Sequence, residues 1–471
     1  MSLWTGEAMV AAMDGRPVGR MPDDVTGISI DTRSLAPGDA YFAIKGDVHD
    51  GHDFATNAVA AGAAVLVVAE AKLPSLGRLQ VAMIVVDDVL KALEKLAAAA
   101  RARASGKIIA VTGSAGKTTT KEALRVALAP SGSVHASDKS FNNHWGVPLS
   151  LARLPEGADF GVFEIGMNHP GEIRPLVKLV RPHVALVTVI AAAHLGQFKS
   201  LDEIARAKAE IFEGLAEGGT ALINRDDPHC KTLEKLAKAA GAVNIVSYGE
   251  HLRAKYRLVS VELGAASSQI TARIGNRDIS AEIGAPGRHI VQNCLAVLGA
   301  ADLTGADVGK AASALAGLKA ERGRGQRHRL KLPRGSVTLI DESYNANPAS
   351  MRAALALLAA CGDAKRRIAV LGDMLELGEH SEALHAELAG PVTQSGADLV
   401  FLAGAQMQAL AGALPAKTLG GHFAAAPDLA PILAAALKPG DAVMIKSSNG
   451  IGFSKIVDAL LKQFPPVKEA A

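Results

Sequence analysis

A glycine-rich loop that ends in Lys-Thr is the part of this sequence best suited to hold phosphates. Glycines let backbone N–H groups approach phosphate oxygens, and a helix N-terminus adds its dipole. A strand is predicted before the loop, over 107–112, and a helix after it, over 118–129. Lys117 would place a compact positive charge on the β- and γ-phosphates, and Thr118 a hydroxyl on Mg²⁺. The loop comprises Gly113, Ser114, Ala115, Gly116, Lys117, Thr118 and Thr119.

The loop is shorter than a strict P-loop. The strict spacing is G-x-x-x-x-G-K-[ST], and Val111 stands where its leading glycine would be. A Gly-Lys-Thr at a strand–helix junction also arises by structural chance. The strand before it and the helix after it favour the phosphate-binding interpretation.

Two other side chains follow predicted strands and are candidate metal ligands. Glu164 lies in the strand predicted over 160–165, and ligands bind at the carboxyl ends of strands in parallel sheets. Mg²⁺ prefers carboxylate, hydroxyl and phosphate oxygens, but an ordinary exposed glutamate at a strand end fits the sequence equally well. His194 follows the strand predicted over 184–189. A lone loop histidine is more often a surface or hydrogen-bonded residue.

Lys208 occupies an unusual place on the helix predicted over 201–212. Apolar residues at positions 201, 204, 211 and 215 form a stripe, and Lys208 lies on it. A lysine there must reach solvent with its ammonium, pair with an acid or be modified. Spacing alone favours the first of these.

These side chains must be positioned by α/β domains, and the order of predicted elements divides the chain into three. Residues 1–104 predict a small mixed α/β domain. Residues 105–320 alternate strands with helices, which predicts a parallel-sheet, P-loop ATPase domain with antiparallel strands over 256–283. Residues 321–471 begin with an arginine- and glycine-rich linker and continue as a Rossmann-like domain. The glycines of 321–326 predict a hinge.

Composition disfavours several classes of function. With 471 residues, 49 % hydrophobic, and a net charge of +3, the chain predicts globular domains rather than a polyanion-coating protein. Aromatic residues make up 4 %, so single-strand nucleic-acid binding by base stacking gains no support. Neither a signal peptide nor an apolar run of roughly 20 residues is evident, which predicts a soluble cytoplasmic protein without membrane insertion. The three scattered cysteines predict buried thiols, not disulfides.

Several segments together resemble the Mur ligase family, the cytoplasmic amide-forming enzymes of peptidoglycan synthesis. The phosphate loop matches that family's shortened loop, and further matches lie over 141–148, 164–173, 285–289, 341–348 and 371–378. The last two are specific, and the resemblance covers essentially the whole chain in the expected order. It implies an ADP-forming ligase that uses ATP and Mg²⁺ to join D-alanyl-D-alanine to UDP-N-acetylmuramoyl-tripeptide through an acyl phosphate.

The resemblance also implies roles for individual residues. The implied catalytic residues are Lys117, Glu164, His194 and Lys208, and the implied Mg²⁺ ligands are Thr118, Glu164, His194 and a carbamylated Lys208. Nucleotide contacts are implied for the phosphate loop, Asn293, Arg324 and Glu342. Uridine diphosphate contacts are implied for Asp31, Thr32, Arg33, Lys45 and Gly46, muramoyl-peptide contacts for Asn142 and Asn143, and dipeptide contacts for Tyr344, Asn345 and Asn347. The protein is expected to be a monomer.

The sequence departs from the family's pattern in three places. The family's His-Leu-Glu is His194-Leu195-Gly196 here, so an acidic side chain near the second metal is missing. Glu342 replaces an aspartate and is still able to reach ribose or phosphate. The family's Lys-Gly-Ser-Arg at the last strand is Lys446-Ser447-Ser448-Asn449, so its arginine is absent there.

Two rival functions fit parts of the pattern. Another ligase of the same fold, such as a folylpolyglutamate synthase or the ligase that adds a diamino acid, is disfavoured by Asn142-Asn143 and by the motif over 345–348. A non-catalytic nucleotide-binding regulator is disfavoured by the metal-ligand candidates and by the UDP-type first domain. The sequence leaves open which residue fills position three of the tripeptide.

Overall fold

A computed structural model describes residues 2–138, 140–193 and 195–467, and within these ranges the strands form three sheets. His194, a predicted metal ligand, lies outside the described residues. The α/β fold class predicted from the sequence is confirmed, because each sheet is mainly parallel and alternates with helices along the chain.

The first sheet has the order β1-β5-β4-β3-β2, with β1 antiparallel to β5 and the other pairs parallel. Its strands are β1 Arg16–Val18, β2 Ile28–Ser29, β3 Ala40–Phe42, β4 Val65–Ala69 and β5 Ala82–Val86. The accompanying helices are α1 Gly6–Met13, α2 Ala55–Ala60, α3 Leu73–Leu76 and α4 Val89–Arg103. Asp88 caps α4, its carboxylate accepting hydrogen bonds from the N–H groups of residues 90 and 91.

The middle sheet has the order β14-β13-β12-β11-β10-β9-β6-β8-β7. Its strands are β6 Lys107–Thr112, β7 Val134–Ala136, β8 Phe160–Glu164, β9 Val184–Val187, β10 Thr220–Asn224, β11 Asn244–Gly249, β12 Tyr256–Leu263, β13 Ser268–Ile274 and β14 Arg277–Ile283. Its helices are α5 Lys117–Leu128, α6 Gly146–Ala152, α7 Ile173–Val180, α8 Leu201–Ala209, α9 Cys230–Ala239, α10 Arg288–Thr304 and α11 Val308–Ala314. The predicted antiparallel extension over 256–283 is confirmed.

The third sheet has the order β15-β16-β20-β17-β18-β19, with only its first pair antiparallel among the described strands. Its strands are β15 Gln326–Lys331, β16 Ser336–Glu342, β17 Arg366–Gly372, β18 Leu399–Ala403, β19 Leu419–Phe423 and β20 Asp441–Lys446. Its helices are α12 Pro348–Ala359, α13 Ser381–Ala386, α14 Ala389–Gln394, α15 Gln408–Ala413, α16 Ala426–Ala436 and α17 Ser454–Gln463.

The first and middle sheets share one hydrophobic core. A single cluster of buried side chains runs from Trp4 through α4 to residues beneath the middle sheet, such as Ile108 and Val177. Trp4 also donates from Nε1 to the carbonyl of Ala152 at 3.0 Å, and the guanidinium of Arg103 lies 3.5 Å from its ring centroid. Apolar packing and polar contacts therefore both cross the boundary between these two sheets.

The third sheet is packed by two separate clusters of its own. The chain enters it through a segment in which Gly323 and Gly325 have φ values of 73° and 95°, a region that glycine adopts readily. The prediction that 321–329 is a linker is partly wrong, because Gln326–Lys331 pairs with β16 as an edge strand. The hinge over 321–326 stays a prediction.

The cysteines and the apolar character of the helices were also subjects of prediction. All three cysteines lie among the described residues and are free and buried, as predicted. In the described part of the chain, no helix combines the length and the apolar character needed to cross a bilayer.

Candidate active site

The phosphate loop lies at the centre of the middle sheet, after β6 and before α5. Strand β6 is flanked by β8 and β9, so the loop sits where both neighbours also end. Gly116 caps α5 with a φ of 81°, and a Cβ added to it would lie 2.8 Å from Nδ2 of Asn293. A Cβ on Gly113 would lie 1.8 Å from Oγ1 of Thr188. The surrounding side chains therefore leave room only for glycine at both positions.

Lys117 begins α5 and folds back over the loop. Its Nζ donates to the carbonyl of Gly113 at 2.8 Å, and the side chain is half-buried. Burial lowers the pKa of Lys117, the carboxylate of Glu164 opposes that shift, and the guanidinium of Arg324 adds to it. The ammonium is thus held at the loop, near an acid and a second cation.

Glu164 ends β8, where its Cα is the register partner of Val111 on β6. One of its carboxylate oxygens, Oε1, accepts a 2.6 Å hydrogen bond from Nδ2 of Asn142. The other, Oε2, is buried and has no hydrogen-bond partner among the described residues. An unpartnered buried carboxylate oxygen is costly, which points to a ligand that is absent from the structure.

The donors around Glu164 fit Mg²⁺ that arrives with a nucleotide. Thr118, with a buried hydroxyl side chain, lines the same cleft as Glu164. Mg²⁺ typically takes one or two protein carboxylates, with substrate phosphates and waters completing its octahedron. The described residues contain no group of three or more His, Cys, Asp or Glu side chains able to hold a metal by themselves. The site therefore suits a phosphate-bound ion better than an all-protein metal cage.

Lys208 lies on α8 and is only 2 % exposed. Burial of nearly the whole side chain disfavours the snorkelling interpretation that spacing favoured. Among the described residues it has no hydrogen-bond or ion-pair partner. Burial lowers its pKa well below the ordinary value, and the charge of Lys117 lowers it further. Lys208 is therefore a poor place for a positive charge and a good place for a neutral amine.

The opposite wall of the cleft comes from the third sheet. Glu342 ends β16 and Lys446 ends the adjacent β20, and Nζ of Lys446 lies 3.0 Å from Oε2 of Glu342. The same Nζ donates to the carbonyl of Asn345 at 2.9 Å. The guanidinium carbon of Arg324 lies 4.2 Å from the ring centroid of Tyr344. Both pairs face the cleft.

The two walls enclose a cleft of about 1670 Å³ that is open to solvent. It is lined by these predicted site residues: Ser114, Ala115, Gly116, Lys117, Thr118, Thr119, Asn142, Glu164, Asn293, Arg324, Glu342, Tyr344, Asn345 and Asn347. The structure thus brings together the residues predicted to contact the nucleotide with those predicted to contact the dipeptide. A small pocket of about 20 Å³ adjoins the cleft beside Thr119 and Pro286.

Asn143 makes a hydrogen bond within its own turn. Its Oδ1 accepts a hydrogen bond from the N–H of Gly146 at 2.9 Å, at the start of α6. Asn142 and Asn143 therefore differ: the first contacts Glu164, and the second organises the turn that carries the first.

The predicted uridine diphosphate residues lie on the first sheet. Asp31, Thr32 and Arg33 follow β2, and Lys45 and Gly46 follow β3, the neighbouring parallel strand. Arg33 forms a paired contact with Asp31, from Nε to Oδ1 at 2.9 Å and from Nη2 to Oδ2 at 2.7 Å. Both loops therefore lie at the same edge of the first sheet, and their roles stay predictions.

The segment after His194 meets the third sheet. The N–H of Gly196 donates to the carbonyl of Glu376 at 2.9 Å, and a Cβ on Gly378 would lie 2.7 Å from Cα of Gly196. A Cβ on Gly196 would lie 3.2 Å from the backbone N of Gly378, so this close contact between the middle and third sheets favours glycine at 196.

Lys446 and His289 are among the cleft residues that were not predicted as site residues. In the sequence, Lys446 stood out only as the first residue of a motif that differs from the family's Lys-Gly-Ser-Arg. It nevertheless ends a buried strand, and ligands bind at the carboxyl ends of strands in parallel sheets. His289, at the start of α10, has its pKa lowered by burial, with Glu342 raising it and Lys446 lowering it. Its position on the cleft wall depends on the third sheet, which no local sequence signal specifies.

The fit of the loop leads to a first prediction. Gly116→Ala should weaken ADP binding by more than about tenfold, because the new Cβ meets Asn293 in addition to the strain of a positive φ. Gly305→Ala is the matched control, since its φ is 80° but nothing lies within 4 Å of the added Cβ. Equilibrium titration with ADP measures both. Equal affinity of the two variants would contradict the fit described here.

Comparison with known proteins gives consistent matches along the chain. Three family models match: the Mur ligase family catalytic domain over 24–101, the Mur ligase middle domain over 111–301, and the Mur ligase glutamate ligase domain over 323–449. UDP-N-acetylmuramoyl-tripeptide–D-alanyl-D-alanine ligase from Escherichia coli K12 is 35 % identical over 407 residues, covering 85 % of this chain and 86 % of that protein. Its counterpart from Rickettsia prowazekii is 33 % identical over 432 residues, covering 92 % and 94 %.

Solved structures of similar proteins match as well. MurF from Acinetobacter baumannii superposes with a TM-score of 0.85 at 29 % identity, covering 98 % of this chain and 99 % of that one. MurF ligase from Thermotoga maritima, solved in complex with ADP, gives a TM-score of 0.75 at 26 % identity, covering 93 % and 97 %.

Proposed function

Because this chain belongs to the Mur ligase family, we propose that it joins D-alanyl-D-alanine to UDP-N-acetylmuramoyl-tripeptide, with conversion of ATP to ADP and phosphate. The observation that carries the proposal is the cleft itself. It sets a phosphate loop and an unpartnered carboxylate oxygen against a wall from the third sheet. The reaction supplies material for peptidoglycan precursor synthesis.

The chemistry explains why ATP is needed. A carboxylate is a poor electrophile for an amine at neutral pH. Its oxygen therefore attacks the γ-phosphorus of ATP, ADP leaves, and an acyl phosphate forms. The amine of D-alanyl-D-alanine then attacks the acyl carbon, phosphate leaves with the electron pair, and the amine proton is lost. Anions approach each other in the first step, so the site must supply positive charge.

The residues of the phosphate loop are proposed to hold the nucleotide. Lys117 would contact the β- and γ-phosphates, and the backbone amides of the loop would cradle them. Asn293 and Arg324 are proposed to contact the nucleotide from either side of the cleft, and Glu342 its ribose or phosphate.

Mg²⁺ is proposed to be held by Thr118, Glu164, His194 and a carbamylated Lys208. When bound, the ion would neutralise phosphate charge in the cleft. The unpartnered Oε2 of Glu164 supports this assignment. The chain's own part is to keep that carboxylate oriented, which the hydrogen bond from Asn142 does.

Carbamylation of Lys208 is proposed on the basis of its burial and lowered pKa. A neutral amine attacks the carbon of CO₂, one N–H proton is lost, and an N–C bond creates a carbamate anion. The buried ammonium would be replaced by a pair of oxygens able to bind a cation. This change would remove the cost of an unpartnered buried charge.

Substrate contacts and organisation complete the proposal. Asp31, Thr32, Arg33, Lys45 and Gly46 are proposed to hold uridine diphosphate, Asn142 and Asn143 to shape the muramoyl-peptide path, and Tyr344 and Asn345 to lie beside the dipeptide. The protein is proposed to act as a cytoplasmic monomer, with domains over 1–104, 105–320 and 321–471.

A reconstituted assay tests the proposed function. Phosphate release should occur only when protein, ATP, Mg²⁺, UDP-N-acetylmuramoyl-tripeptide and D-alanyl-D-alanine are all present, and mass spectrometry should find the joined product. L-Alanyl-L-alanine serves as the matched acceptor and should give little release. ADP binding without dipeptide-dependent release would instead identify a nucleotide-binding regulator.

A further inference from the structure

Asn347 makes two different hydrogen bonds with one side-chain amide. Its Oδ1 accepts from the N–H of Ser350 at 2.9 Å and so caps α12. Its Nδ2 donates to the carbonyl of Ser114 at 3.3 Å, across the cleft. The side chain is buried, although it was expected beside the dipeptide. A single residue of the third sheet therefore contacts the phosphate loop itself.

Ser114 has its other polar groups committed to the middle sheet. Its N–H donates to the carbonyl of Val189 at 2.8 Å, and its Oγ accepts from the N–H of Ala191 at 3.0 Å. Its carbonyl accepts the contact from the other wall. The loop is thus fixed from below by the segment after β9 and from above by Asn347.

We infer that Asn347 is a positioning residue that couples closure of the third domain to the phosphate loop. The third sheet has its own cores and a glycine-containing connection, which are the features of a unit that can rotate about a hinge. In the arrangement described here, the Asn347 amide joins that unit to the loop. A neutral donor suits this place, because it satisfies a carbonyl without adding charge beside bound phosphates.

Closure through Asn347 also fixes what faces the nucleotide. Ala349, Ser350 and Ala353, all on α12, line the cleft on the side of the loop. Since α12 begins directly after Asn347, the bond to Ser114 sets how close that helix comes to the phosphates. This inference rests on the proposed function for its catalytic consequence, but the coupling itself concerns only the nucleotide and the two walls.

The two bonds can be separated by substitution. Asn347→Ser keeps a good helix cap but is too short to reach Ser114, whereas Asn347→Ala loses both bonds. Asp307→Ala is the control for cap loss alone, because Asp307 caps α11 by accepting from the N–H of Lys310 and does not line the cleft. Measurements are the melting temperature, ADP affinity by equilibrium titration, and the ADP-induced decrease in radius of gyration by small-angle scattering.

We expect Asn347→Ser to melt near the wild-type temperature, yet to bind ADP about three- to tenfold more weakly, as loss of one neutral hydrogen bond implies. Its compaction with ADP should be smaller than that of the wild type. Asp307→Ala should melt lower with unchanged ADP affinity and compaction. Wild-type ADP affinity and compaction in Asn347→Ser would overturn the coupling. If wild-type protein released no phosphate in the complete assay while Asn347→Ser still weakened ADP binding, the coupling would stand and the proposed ligation would fall.

Discussion

Lys117→Met is expected to abolish ligation, with kcat/KM for ATP falling by at least about a thousandfold, because the loop loses its cation. Methionine retains most of the volume of the lysine stem but cannot hold the charge of a transferring phosphate. The structure places this ammonium on the carbonyl of Gly113 and near Glu164. Segment 113–119 contains no second lysine that could replace it. Phosphate release in the complete assay measures the effect.

Lys107→Met is the control for Lys117→Met. Lys107 is exposed at the far end of β6. Its substitution therefore removes a lysine from the same strand–loop–helix unit without changing the loop. Its activity should stay within about twofold of the wild type, as surface changes usually do. Circular dichroism and melting temperature should show that both variants fold. Lys117→Met activity within tenfold of the control would remove Lys117 from the proposed catalytic role.

Lys208→Met should reduce the rate of ligation by at least about a hundredfold, while the folded protein stays as stable as the wild type or becomes more stable. The residue is buried without a partner among the described side chains, so an apolar replacement removes a desolvation cost. Activity falls because the proposed carbamate, and with it a metal ligand, cannot form. Melting temperature and phosphate release separate the two effects.

Two further measurements address the carbamate itself. Wild-type protein in ¹³C-bicarbonate should show a carbamate carbon signal by NMR that Lys208→Met lacks, whereas Arg206→Ala, on the exposed side of α8, should retain it. Added acetate or bicarbonate should partly restore ligation to Lys208→Ala. Full activity in Lys208→Ala without additives would eliminate the carbamate proposal.

The strand–loop–helix around Lys117 could be predicted from the sequence because its signals are local. A buried run, a glycine pair and a helical pattern follow one another directly, and the structure has β6 and α5 there. Lys208 shows the limit of such signals. Its place on an apolar stripe marked it as unusual, but its ammonium could not be followed to solvent or to a partner without the packing around α8.

Short or polar strands escaped prediction for a related reason. Strand β15 reads Gln-Arg-His-Arg-Leu-Lys, which carries almost no alternation of apolar and polar residues, and only its pairing with β16 makes it a strand. The site has the same dependence. The contact of Asn142 with Glu164, and that of Asn347 with Ser114, join segments 22 and 233 residues apart, and only the tertiary fold sets them.

The hydrophobic cluster shared by the first and middle sheets has a consequence for the length of the donor substrate. Trp4, α4 and Ile108 belong to one packed cluster, which ties the loops after β2 and β3 to the unit that carries the phosphate loop. A donor held by the proposed uridine diphosphate contacts must span the distance between these loops before its carboxylate meets ATP. A donor one amino acid shorter should therefore bind but release no phosphate. The enzyme would thus discriminate against a shorter peptide precursor by its length, without a contact to its last side chain.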